Sequence, residues 1–75
     1  MTYEERCEIE IMSNYAQLKM RDHTLPPRLQ SLYGFVHDNA GRILNGDERP
    51  VLLKMFGENL ADLERYLALQ RLMSN

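Results

Sequence analysis

Hydrophobic positions recur along almost the whole chain at three- and four-residue steps, the period of one helix face. Nowhere do they alternate as a half-buried strand requires. Turn chemistry interrupts the pattern twice. In Asp22-His23-Thr24-Leu25-Pro26-Pro27 two prolines remove backbone donors and push the preceding residue away from helix. In Asn45-Gly46-Asp47 a pair that tolerates left-handed backbone is followed by a good N-cap. The segments so divided predict helices over 3–21, 27–44 and 48–73, folded as a small all-α antiparallel bundle in a single domain, 1–75.

The first segment opens on Thr2-Tyr3-Glu4-Glu5, a capping-box pattern, and has no Gly or Pro from 3 to 21. At about 100° per residue, Tyr3, Cys7, Ile11, Tyr15 and Leu18 form one broad stripe, taken as the core face. Ile9, Met12, Ala16 and Met20 form a neighbouring arc, leaving a narrow wet face around Arg6, Glu10, Ser13 and Gln17. A helix in a three-helix monomer needs only about a 100° apolar stripe. The surplus arc is therefore expected to meet another molecule.

The second segment starts at the Pro-Pro pair, since proline suits a first turn. It carries one stripe: Leu29, Leu32, Tyr33, Val36, Ala40 and Ile43. The third is capped by Asp47, with Leu53, Phe56, Leu60, Leu63 and Leu67 as its main stripe. Val51, Met55, Tyr66, Leu69 and Met73 flank it. Gly57 is a possible break, although the stripe keeps phase across it. Leu32, Val36, Phe56, Leu60 and Leu63 are expected in the core.

Seventy-five residues bury a modest core, so a staple or partner is expected. Cys7 is alone and cannot form an internal disulfide, which suits a reducing cytoplasm. No basic start precedes an apolar run, and no stretch reaches eighteen apolar residues, so neither a signal peptide nor a membrane span is expected. A net charge of −2 disfavours general nucleic-acid binding, which needs a basic field. Self-association as a two-fold dimer is the device left for covering apolar surface.

Candidate chemistry is sparse. His23 and His37 lie on different segments, and the adjacent Asp38 does not share a helix face with His37. No second ligand stands at metal-binding spacing, and no nucleophile triad or phosphate loop occurs. No catalytic residue, metal or cofactor is expected. Cys7, on the main stripe, reads as a buried inert thiol.

Residues Leu52 to Leu67 carry an apolar pair, Phe56-Gly57 at a turn position, and Asn59 as a competent cap, with Leu63 and Tyr66 turned inward. This resembles a helix-turn-helix, which implies a DNA-binding transcriptional regulator reading with its second helix. The match departs from the pattern at Glu58, in a position usually apolar. The reading helix would also show Asp62 and Glu64 to phosphates, with only Arg65 to attract them.

The reading that follows is a non-enzymatic protein-binding module: a regulator, inhibitor or adaptor that occupies a partner protein's surface. Such a chain suits a host-directed inhibitor from a phage or another mobile element. Its partner or dimer interface is expected at Ile9, Met12, Ala16 and Met20, with Tyr66 and Met73 from the flanking stripe.

Overall fold

The computed structural model describes residues 1–74 and contains three helices: α1 (Tyr3–Met20), α2 (Pro27–Leu44) and α3 (Pro50–Met73). Together they form a small all-α three-helix bundle. Helix α1 starts where the sequence places it, because Thr2 and Glu5 close a capping box. The Glu5 N–H donates to Thr2 Oγ1 at 3.1 Å, and the Thr2 N–H donates to Glu5 Oε1 at 3.3 Å. The first turn is held by Asp22, whose Oδ1 accepts from the Thr24 N–H at 3.0 Å and from its hydroxyl at 2.6 Å. Those bonds draw the Asp22 carboxyl below the usual aspartate range.

The second turn differs from expectation. Asp47 does not cap α3; the helix begins at Pro50, with Arg49 in the cap position and no side-chain cap bond. The Asp47 carboxylate is gripped instead by Arg49, Nε at 2.7 Å and Nη2 at 2.8 Å. Pro50 then supplies the preorganised first helical residue. Gly46 takes φ +101°, a backbone that side chains rarely adopt, and the chain reverses there. Its N–H reaches the Ile43 carbonyl at 3.0 Å, and that of Asp47 reaches the Arg42 carbonyl at 3.1 Å, satisfying the end of α2.

Helix α3 runs without a break through Gly57. Residues 52–67 are thus one rod, not two helices meeting at a turn, and the helix-turn-helix geometry suggested by Phe56-Gly57 is absent. The physical reason lies in the stripe. Phe56, Leu60 and Leu63 stay in phase with the same neighbours, and that packing outweighs the roughly 1 kcal/mol helix penalty of one glycine.

Helix α2 is the spine. It packs against both α1 and α3, whereas among the described residues no Cα of α1 comes within 8 Å of a Cα of α3. Its buried residues Leu29, Tyr33, Val36, Asn39, Ala40 and Ile43 therefore face two neighbours. Helix α1 buries only Ile9, Ser13 and Ala16, and α3 only Leu52 and Leu63. The core has two clusters. One gathers Ala16, Leu29, Tyr33, Val36 and Leu63; the other gathers Ile9, Ala40, Ile43 and Leu52. Phe56 packs against both. Of the expected core, Val36 and Leu63 are fully buried, while Leu32, Phe56 and Leu60 are half-buried. Antiparallel order is shown by Arg6, from the start of α1, whose Nη2 donates to the Leu44 carbonyl at the end of α2 at 3.2 Å.

Candidate protein-binding surfaces

The decisive feature of α1 is which of its two apolar arcs turns inward. At about 100° per residue, Ile9, Ser13, Ala16 and Met20 centre on one direction. Tyr3, Cys7, Ile11, Tyr15 and Leu18 centre on the opposite one. Burial follows the first arc: Ile9 and Ala16 are in the core, Ser13 lies between them, and Met12 and Met20 are half-buried. The second arc faces out, with Tyr3 80 %, Ile11 66 % and Leu18 74 % exposed.

This reverses the face expected from the sequence. Ile9 and Ala16 belong to the intramolecular core rather than to an interface, and Met20 packs on the first cluster. Ser13, expected in water, is buried. Small side chains at 13 and 16 let α1 lie close on α2, and a polar partner satisfies the serine. That partner is His37, whose Nδ1 lies 3.3 Å from Ser13 Oγ and 3.2 Å from the Ser13 carbonyl. His37 is thus a half-buried seam residue, not a surface histidine beside Asp38. Its role was hidden because Ser13 is twenty-four positions away along the chain.

The outward arc also carries the exposed polar side chain of Asn14, and it is drawn partly inward at Tyr15. There the ring meets Tyr33 edge-on, centroids 5.8 Å apart and planes at 70°, with the Lys19 ammonium 5.7 Å from the Tyr15 centroid. Burial, and then the neighbouring Tyr15 phenol, pushes the Tyr33 hydroxyl up to about 12. Cys7 is a half-buried free thiol in this strip. Glu4 and Glu8 rim it towards the start of the helix and Lys19 towards the end. None of these three is in an ion pair among the described residues.

A second surface lies between α2 and α3. Phe35, Asp38, Asn39, Arg42, Met55 and Asn59 line a groove of about 550 Å³. Arg28, Leu32, Asp62, Arg65, Tyr66 and Leu69 line a smaller one of about 260 Å³. Positions 28, 32, 35, 39 and 42 on α2, and 55, 59, 62, 66 and 69 on α3, repeat at three- and four-residue steps, so both depressions follow one side of the seam. Tyr66 is half-buried here, with the Arg28 guanidinium 5.9 Å from its ring centroid and the Gln70 amide donating to its hydroxyl at 3.2 Å. Met73, 84 % exposed, lies at the end of α3. The structure therefore does not gather Ile9, Met12, Ala16, Met20, Tyr66 and Met73 into one surface.

Among the described residues no three His, Cys, Asp or Glu side chains stand together as a metal site, and no helix is long and apolar enough to cross a membrane. No family model, no curated protein and no solved structure matches the chain.

Proposed function

We propose that the chain is a non-enzymatic protein-binding module, a small regulator, inhibitor or adaptor that works by covering part of another protein. The observation that carries this is the outer face of α1. A helix of a three-helix bundle needs one apolar face, and α1 has two, back to back. Folding uses Ile9, Ser13 and Ala16; Tyr3, Ile11 and Leu18 are left in water. Three large apolar side chains left exposed along one helix face favour a contact surface there. Tyrosines are common at such contacts, since they give large area at low entropic cost. A lone thiol and the absence of a membrane-length helix agree with work in the cytoplasm.

The test is site-resolved crosslinking in the source cell. A photoreactive residue at position 18 should give a discrete protein adduct, while the same residue at Glu64, an exposed polar position on α3, should not. If both positions label alike, or neither labels, the face has no specific protein partner and the proposal fails.

A further inference from the structure

We infer that the occupant of the outer α1 face is a second copy of this chain, packed antiparallel about a two-fold axis beside Ile11. The inference rests on the reading of that face as a protein-contact surface, and a second copy seated there competes with any other protein for it.

Charge sets the choice. Helix α1 is acidic in its first half, at Glu4, Glu5, Glu8 and Glu10, while Lys19 and then Arg21 follow at its end. The one early cation, Arg6, is held by the Leu44 carbonyl. A parallel pair would hold Glu4 roughly 22 Å along the axis from Lys19 of the second copy, too far for the two charges to meet. An antiparallel pair centred on Ile11 sets Glu4 within one residue of Lys19 of the second copy, at both ends. Both residues lie on the same flank of the strip, which is the flank that meets itself in antiparallel helix pairs. The helix dipoles are also opposed in this arrangement.

The central apolar positions obey the same symmetry. Cys7 and Tyr15 are four residues either side of Ile11, so the small thiol of one copy faces the large ring of the other. Towards the ends the same register sets Tyr3 against the Lys19 stem and Leu18 against the Glu4 stem of the second copy. An isologous contact of this kind terminates at two copies, whereas a head-to-tail contact would propagate. The exposed side chains offer on the order of 500 Å² per protomer, about 1,000 Å² in the pair, the low end for a specific interface. A weak dimer is therefore expected, formed in the micromolar range and above.

Sedimentation equilibrium from micromolar to near-millimolar concentration tests this. The wild-type chain should pass from monomer to dimer and stop there. Leu18→Glu, at an exposed position, should keep its helical circular dichroism and remain monomeric. Glu4→Lys and Lys19→Glu should each weaken the dimer by about three- to tenfold, and the double variant should restore it. In a parallel pair the double variant would restore nothing, because residues 4 and 19 of the two copies would stand a helix length apart. A wild-type chain monomeric throughout overturns the inference, as does a dimer indifferent to Leu18→Glu or one whose charge swap fails to recover. A heterologous adduct at position 18 alongside a monomeric chain leaves the protein-binding reading standing and removes only the second copy. No specific adduct at that position and a monomer together remove both.

Discussion

His37 and Ser13 join the first two helices through a single ring nitrogen: Nδ1 lies 3.2 Å from the Ser13 carbonyl and 3.3 Å from its hydroxyl. A carbonyl can only accept, so the bond to it requires a proton on Nδ1, shared with the hydroxyl oxygen; a bare Nδ1 would instead accept from the Ser13 hydroxyl alone. The neutral ring is expected as the Nδ1–H tautomer, the less common form for a free histidine. Long-range proton–nitrogen correlation spectra at alkaline pH should show it, and an Nε2–H ring would remove the bond to the carbonyl. Ser13→Ala leaves the carbonyl in place and should cost only about 0.5–1 kcal/mol, whereas His37→Ala removes both contacts and should cost about 1–2 kcal/mol. Equal losses from the two variants would mean that the hydroxyl alone carries the contact.

Phe56 is the one α3 side chain packed against both core clusters. Truncation at this position should weaken the α2–α3 packing along most of its length. Phe56→Ala is expected to cost about 3 kcal/mol, a large part of what a domain this small has. Phe56→Leu should cost about 1 kcal/mol. Urea unfolding followed by circular dichroism measures both. A change under half a kcal/mol for the alanine variant would show that the clusters are held independently of this ring.

Gly57 sits inside an unbroken helix, and a Cβ placed on it meets nothing within 4 Å. Alanine there should stabilise the protein by about 0.5–1 kcal/mol, by restricting the unfolded chain and favouring helix. For a domain of this size that is a rise in Tm of roughly 2–8 °C. A lower Tm for Gly57→Ala would mean that the helix bends or opens at this residue.

Tyr33 is 2 % exposed, and its hydroxyl is pushed up to about 12 by burial and by Tyr15. The unfolded phenol ionises near 10, so above that pH the unfolded chain loses protons that the folded chain keeps. Stability from this group is complete below about pH 10 and falls as pH climbs towards about 12, by about 2–3 kcal/mol in all. Tyr33→Phe should flatten that alkaline loss when chemical denaturation is repeated across the range. A wild-type curve already flat between those values would show a phenol that ionises freely in the folded state.

Helix number, order and approximate ends were legible in the chain itself, because they depend on neighbours in sequence. Thr2 and Glu5 cap each other over three residues, prolines stop one helix and start the next, and Gly46 is the one residue with positive φ among the described residues. Local chemistry misplaced only the start of α3, where Arg49 takes the Asp47 carboxylate that would otherwise cap. The facing of α1 was not legible. Each of its two apolar arcs could serve as a core face, and periodicity measures how apolar an arc is, not what waits opposite it. Tertiary packing chose the arc with the small residues Ser13 and Ala16, since these let α2 approach closely and His37 could satisfy the serine. Tyr3, Ile11 and Leu18 were turned to solvent as a consequence, and the candidate binding surface is the face that the core left over.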